Sequence, residues 1–290
     1  MKRVLAFTQI AILLFELLLF VPSMKTNANE GNQKVEFTAF DTNDLVAHAL
    51  GGLENKYIYS NSLEGLRQSI EKGYKLIETD LILTKDGRLV CFHGWNQATY
   101  KNTGLRYDQK NPIMTYKEFI SKRIQGKFTT IDISTIVDYL ATTEDIYFVF
   151  DLRTLTKKNA IKTAEQIKVA FKNKESLTDR VIIQVGSKEM YEGIDSVYHF
   201  PHYQYFVHNE ELKELDQLLQ WVKDTGIIAV SIHYESLTPP IISKVKSYGL
   251  YLLTHTIDDI AKAKELLNSG VDIVCTNFIT KNELDSFGKD

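Results

Sequence analysis

Beyond residue 40, short apolar runs alternate with helix-length amphipathic segments. The runs are LVAHAL (45–50), LIETDL (76–81), FVFDLR (148–153), VIIQV (181–185), QYFVH (204–208), IIAVSIH (227–233), LYLLTHT (250–256) and DIVCTN (272–277), eight in all. Their length and apolar character predict strands, and the stretches between them carry helix punctuation. Asn61 and Glu64 have capping-box spacing around Leu63, Leu66 and Ile70, and Gly73 closes that helix. Thr115 and Glu118 repeat the device. Residues 159–172 and 210–223 are amphipathic, the second closed by Gly226. Pro239 and Pro240 stand where a first-turn proline belongs, with Gly249 ending that helix. Asp258 or Asp259 opens a last long helix that Gly270 closes. Strand and helix alternating eight times within about 250 residues predict an α/β fold, a parallel (β/α)8 TIM barrel.

One segment breaks the rhythm. In LILTKDGRLVCFH two apolar runs are separated only by Lys85-Asp86-Gly87-Arg88, far too short for a parallel crossover. Asp-Gly between alternating apolar residues predicts an antiparallel hairpin inserted after strand two. Pairing centred on Asp86-Gly87 sets Asp80 opposite His93. Helical segments at 115–124 and 131–140 follow before strand three.

The N-terminus is patterned differently. Lys2 and Arg3 precede an apolar run from Val4 to Val21, broken only by Thr8, Gln9 and Glu16, and a polar stretch follows. This reads as a secretory signal peptide with cleavage near Ala28, or as an uncleaved anchor, because the run is close to bilayer-spanning length. The domain reading is a leader over 1–28, a linker over 29–40 and the barrel over 41–290. The barrel is expected outside the cytoplasm, secreted or associated with the membrane's outer face through the N-terminal segment. Lys plus Arg (34) nearly balances Asp plus Glu (37), for a formal charge of −3, which gives no electrostatic reason to expect a nucleic-acid partner. Cys91 and Cys275 sit in apolar strand-like runs. Pairing is open to them in an exported protein, but two buried thiols is the plainer reading.

Ionisable residues inside apolar strands are costly to bury, and barrel active sites lie at the C-terminal strand ends. Strand one carries His48, strand two Glu78 and Asp80, the hairpin His93, and strand three Asp151 and Arg153. Residues two apart in a strand share a face. Singly, each has a plain explanation: a hydrogen-bonded core histidine, outward carboxylates, a structural Asp151–Arg153 ion pair. Together at three successive strand ends they point to an oxygen-rich Ca²⁺ or Mg²⁺ site, with two histidines for general acid–base work. Trp95, beside His93, is a candidate for stacking on a substrate head group or for capping the barrel. His199, His202, His233 and His255 are read as structural.

The same residues carry a family resemblance. HALGG (48–52), SNSLEG (60–65), GYKLIETDLILTKDGRLVCFHGW (73–95) and FVFDLRT (148–154) resemble the signature blocks of glycerophosphodiester phosphodiesterases, and LYLLTHTIDD…SGVDIVCTNF is similar to that family's last two strands. The resemblance implies metal carboxylates at Glu78, Asp80 and Asp151 and a catalytic pair at His48 and His93. Arg153 stands where the family has a phosphate-binding lysine. It further implies that one histidine assists attack on phosphorus while the other protonates the leaving alkoxide, with a cyclic phosphate formed by a substrate hydroxyl fitting that scheme. The substrate would be a small-molecule or lipid-derived phosphodiester.

Four positions depart from the family pattern. Ala49 replaces the arginine after the first histidine, Tyr59-Ser60-Asn61 replaces Pro-Glu-Asn, Asp151 replaces glutamate and His255 replaces tryptophan. IETD, FHG and FDLRT also resemble blocks of the sphingomyelinase D-type phospholipases, whose third metal carboxylate is an aspartate. A lipid phosphodiesterase of that type, or a barrel that only binds a phosphorylated ligand, are the competing expectations.

Overall fold

The computed structural model describes residues 36–288 except Leu155. The leader expected over 1–28 lies outside the described residues. Among the described residues no helix is long and apolar enough to cross a membrane.

The strands are β1 (Leu45–Ala47), β2 (Leu76–Leu83), β3 (Leu89–Cys91), β4 (Arg123–Ile124), β5 (Phe128–Thr129), β6 (Tyr147–Leu152), β7 (Val181–Val185), β8 (His202–Val207), β9 (Ala229–His233), β10 (Tyr251–His255) and β11 (Ile273–Thr276). β1, β2 and β6 to β11 pair in parallel in chain order, and β1 pairs with both β2 and β11, which closes an eight-stranded barrel. All eight expected strands are present. β1 is shorter than its apolar run because Ala49 and Leu50 turn into left-handed conformations, with φ 48° and 65°.

The outer helices bury the stripes that their spacing predicted. Leu66 on Leu63–Glu71, Ile136, Val137 and Leu140 on Ile133–Thr142, and Ala160, Ala164 and Ile167 on Lys157–Ala170 are buried against the barrel. The capping box at Thr115–Glu118 forms as expected, Pro239 and Pro240 open Pro239–Ser247, and Asp259, not Asp258, caps Ile260–Asn268. The first helix corrects the reading of its start: Ser62 is the cap, its side chain accepting from Gly65 N–H. Asn61 is thereby released for another task, and Glu64 accepts from the N–H and hydroxyl of Thr129.

The hairpin of β2 and β3 exists, but one residue out of the expected register. Leu81 pairs with Cys91 and Leu83 with Leu89, so Asp80 lies level with Phe92, whose N–H donates to Asp80 O at 3.0 Å. The cause is a three-residue loop, Lys85–Gly87, in place of one centred on Asp86-Gly87. Thr84 N–H donates to Arg88 O at 2.8 Å, and Gly87 adopts φ 76°, the left-handed turn residue of such hairpins.

The floor of the barrel is plugged from below. Phe37, Ala39 and Phe40, within the stretch expected to be linker, are buried against Val46, Leu76, Val149, Ile182 and Tyr251. Tyr251 Oη accepts from Phe37 N–H at 2.9 Å and donates to Asp41 Oδ1 at 2.7 Å. The packed barrel unit therefore begins ahead of residue 41.

Candidate active site

At the opposite, C-terminal end of the strands lies a cavity of about 270 Å³, with His48, Glu78, Asp80, His93, Asp151 and Arg153 in its wall. Asp80 and Asp151 are direct register partners on the neighbouring strands β2 and β6. One oxygen from each of Glu78, Asp80 and Asp151 lies within 4.8 Å of the others. Glu78 is 7% exposed and Asp80 2%. Like charges on adjacent strands and out of water oppose ionisation. Burial first, then the neighbouring carboxylates, accordingly push Glu78 well above the ordinary carboxylate range, and burial and Asp151 push Asp80 upward. The trio asks for a cation.

Protein groups meet only part of that demand. Ala49 N–H donates to Glu78 Oε2 at 2.6 Å, a contact made possible by the left-handed turn after His48. Gly51, at φ 95°, completes that turn. A Cβ there would stand 2.0 Å from Ser69 Oγ. Asn61 Nδ2 donates to Asp80 Oδ2 at 2.8 Å, while its Oδ1 accepts from Asp80 N–H and Thr79 Oγ1. Arg153 Nη1 donates to Asp151 Oδ2 at 2.8 Å, and its Nε lies 3.8 Å from Asp80 Oδ1. Burial disfavours the charged guanidinium, but Asp151 and Asp80 outweigh it and hold Arg153 firmly cationic. One arginine among three carboxylates leaves acidic oxygens unbalanced. A cluster made only of hard oxygen donors fits a divalent cation of the Mg²⁺ or Ca²⁺ kind.

The two histidines face each other across Tyr59. Its ring centroid lies 4.5 Å from that of His48 and 4.9 Å from that of His93. His48 Nδ1 lies 2.9 Å from Asn277 Oδ1, and Asn277 Nδ2 donates to Asp258 Oδ2 at 2.8 Å. Because Asn277 presents its oxygen, Nδ1 of His48 carries a proton and Nε2 is the nitrogen left for proton transfer. His93 Nδ1 lies 3.3 Å from Thr99 Oγ1 on a helix capped by Asn96, and its carbonyl accepts from Arg153 Nε. Burial pushes His93 below the ordinary imidazole value, with Asp80 pulling the other way.

Six of the seven expected site residues thus meet in one cavity, and Trp95 does not. Its Nε1 donates to Leu83 O at 2.8 Å, and its ring packs on Phe92, Tyr100 and Phe119 outside the barrel. It caps the hairpin. His255 lines the cavity and lies 3.0 Å from Ser231 Oγ through Nδ1. His202 stacks on Phe37 at the barrel floor and His199 pairs with Asp195, both away from the site. Cys91 and Cys275 are free and buried. Tyr59, Asn61, Asn277, Gln184 and Gln204 are the site residues that were not singled out. Neutral polar residues at strand ends and turns are commonplace, and only Asn61 had a hint, as the retained member of the departed Pro-Glu-Asn run.

A closed parallel barrel with an acidic cluster and paired histidines at its C-terminal mouth defines a TIM-barrel hydrolase-type centre. Comparison with known proteins makes the class specific. The profile of the glycerophosphoryl diester phosphodiesterase family matches residues 52–281, and the chain belongs to that family. It is a phosphodiesterase. Comparison with curated proteins at the sequence level finds no match. Among solved structures, a Silicibacter pomeroyi protein provisionally designated a glycerophosphoryl diester phosphodiesterase superposes with TM-score 0.70 at 16% identity, covering 89% of this chain and 97% of its own. The glycerophosphodiester phosphodiesterase of Thermotoga maritima gives 0.62 at 18% identity, with coverages of 85% and 97%. An Oleispira antarctica phosphodiesterase, solved with its product sn-glycerol-3-phosphate, gives 0.63 at 16% identity, with coverages of 86% and 98%. At such identities the likeness is one of fold.

Proposed function

We propose that the protein hydrolyses glycerophosphodiesters with His48 and His93 as the acid–base pair and a divalent cation held by Glu78, Asp80 and Asp151. The observation that carries this reading is the meeting, in one cavity, of three carboxylates within 4.8 Å of each other and two histidines flanking one tyrosine ring. The cation, when bound, supplies positive charge to the phosphoryl oxygens. Arg153 adds a fixed cation at the same edge, where its fork suits a phosphate oxygen. His93, kept neutral by burial, takes the proton of the attacking hydroxyl or water. His48, in its imidazolium form with Nδ1–H held by Asn277, delivers the Nε2 proton to the leaving alkoxide and is left as the neutral Nδ1–H ring. Ala49 brings no charge, so phosphate binding falls to Arg153 and the cation alone. The basic start and apolar run of residues 2–21 support an exported enzyme.

The test is phosphorus NMR of the protein with glycerophosphodiesters and lysophospholipids, in the presence of Mg²⁺, Ca²⁺ or chelator. The reading expects metal-dependent release of glycerol phosphate. A cyclic phosphate from the lysolipid alone would contradict it and favour the sphingomyelinase D-like chemistry that Asp151 recommends. No turnover with either ion would leave a binding barrel.

A further inference from the structure

On charge alone, phosphate in the cavity is left to Arg153 and the cation, but the chamber also holds an uncharged donor. Part of its wall, on β7 and β8, consists of the amides of Gln184 and Gln204, which bond each other. Another part is Tyr59, on the loop between β1 and the Leu63–Glu71 helix. That loop is stitched at both ends. Leu53 N–H donates to Tyr57 O at 2.8 Å, and Asn61 N–H donates to Ala49 O at 3.2 Å. Ser60, Asn61 and Ser62 are buried, and the hydroxyls of Ser60 and Ser62 share a hydrogen bond at 3.0 Å. Tyr59 itself takes φ 57°, a left-handed conformation that an aromatic residue adopts only at a cost. The loop bears that cost with Tyr59 in the cavity wall, and residues strained in this way cluster at functional sites.

The Tyr59 ring is wedged between the two imidazoles, at 82° to His48 and 71° to His93, so its direction is fixed from both sides. Its hydroxyl is the exception among the tyrosines set into the fold. The buried Tyr74, Tyr100, Tyr203, Tyr205 and Tyr251 each donate to a protein oxygen. Tyr59, half-buried, has no hydrogen-bond partner among the described residues. Its phenol nevertheless lies within electrostatic reach of the whole site. Burial first, then Asp80, Cys275 and Glu78, push its pKa up, and Arg153 pulls it down. The phenol keeps its proton, and an O–H donor without an acceptor stands where three carboxylates and one arginine meet.

We infer that Tyr59 is a further catalytic residue, its phenol O–H donating to a non-bridging phosphoryl oxygen beside Arg153 and the cation. The chemistry of the position selects that acceptor. An O–H needs a lone pair. The carboxylate oxygens are the other acceptors nearby, and the cation takes them when bound, which leaves the phosphoryl oxygens. A hydrogen bond to such an oxygen strengthens as negative charge gathers there during attack. Neutrality matters as much. A lysine or arginine between His48 and His93 would lower the proton affinity of both imidazoles. A phenol supplies a donor and leaves their titration to their own surroundings. Ala49 is thereby supplemented without a second side-chain cation. The inference rests on the proposed phosphodiesterase reading and adds the residue that meets the phosphoryl group from between the histidines.

Tyr59→Phe keeps the ring between the imidazoles and removes only the O–H. It is compared with wild type in steady-state turnover of a glycerophosphodiester across pH, and in calorimetric titrations with Mg²⁺ or Ca²⁺ and then with inorganic phosphate. The expected result is a kcat lower by about 10–100-fold, the range of one hydrogen bond to a charged group, and phosphate binding about tenfold weaker. Cation affinity and the positions of the pH limbs should stay where they are. Wild-type kcat and phosphate affinity in Tyr59→Phe would overturn the inference, since the ring would then be a spacer alone. A lost cation affinity or displaced pH limbs would overturn it too, because Tyr59 would be acting through the carboxylates or the imidazoles. A crystal structure of the metal-loaded wild type with phosphate keeps the question decidable should Tyr59→Phe fail to fold. Tyr59 Oη within hydrogen-bonding distance of a phosphate oxygen is expected, and an Oη that meets only water overturns the contact. Wild type that neither binds phosphate nor turns over the diester would bring down the phosphodiesterase reading as well. An indifferent Tyr59→Phe in an active enzyme brings down the role of Tyr59 alone.

Discussion

Both imidazoles of the site are held through Nδ1, His48 by Asn277 and His93 by Thr99, so each presents Nε2 for proton transfer. For His48 the support extends to Asp258, which binds Asn277 through its side-chain amide and its backbone N–H. Replacing Asn277 by Ala removes that orientation without touching the carboxylates. The expected result is a fall in kcat by roughly 10–100-fold, the usual cost of losing such outer support, with KM little changed in steady-state kinetics. His93 makes a prediction about pH. Burial lowers its pKa, a general base must be unprotonated, and the active form therefore survives as pH falls below the ordinary imidazole value. The acid limb of kcat/KM should lie below about 6.5, the unperturbed imidazole value. A limb clearly above it contradicts the assignment of the base. At this scale the sequence revealed charge and concealed neutrality. Glu78, Asp80 and Asp151 stood out because carboxylates in apolar runs are expensive, whereas Tyr59 and Asn277 looked like ordinary turn residues.

Among the elements, the hairpin after β2 supplies His93 and its turn sets the register. Gly87 holds φ 76° with open space around the position of a Cβ, so Gly87→Ala is strained by backbone conformation alone. A cost of about 1 kcal/mol is expected, read as a lower urea midpoint with activity retained. The hairpin was legible from Asp-Gly between apolar runs. Its register was not, because a three-residue loop and a tighter one share the same residues and differ only in which backbone groups pair. The plug below the barrel is the second such element. Phe40, 3% exposed and 5.2 Å from the Tyr251 ring, should cost about 3–5 kcal/mol when cut to Ala, as measured by chemical denaturation. Its short segment carries no periodicity to announce that it packs.

For the molecule as a whole, the acidic cluster couples cation, pH and stability. Glu78 and Asp80 have raised pKa values in the folded protein, so the folded state binds their protons more tightly than the unfolded state does. That contribution is fully present below the ordinary carboxylate values and is lost as pH rises through the raised ones. The metal-free protein should therefore gain from Asp80→Asn at neutral pH, with a higher Tm than wild type. The wild type should in turn be stabilised by Ca²⁺ or Mg²⁺, and Asp80→Asn much less so. His255 acts in the opposite sense. Burial, with His233 and His48 nearby, lowers it to about 4, so it favours unfolding as pH falls from the ordinary imidazole value toward that point. The difference between wild type and Asp80→Asn isolates the cluster from this effect. The eightfold alternation made the barrel legible, since strand and helix periods are written in apolar spacing. The amide half of the cavity was not, because glutamine in a strand has no distinctive cost until its surroundings are known.

The most direct test of the central claim is the turnover of a glycerophosphodiester by the metal-loaded enzyme and by its His48→Ala and His93→Ala variants, each checked for an unchanged melting transition and metal affinity. The account predicts that either substitution lowers kcat by roughly 10²–10⁴-fold, the usual contribution of a positioned acid or base, while the cation still binds. Near wild-type turnover in either variant would contradict it.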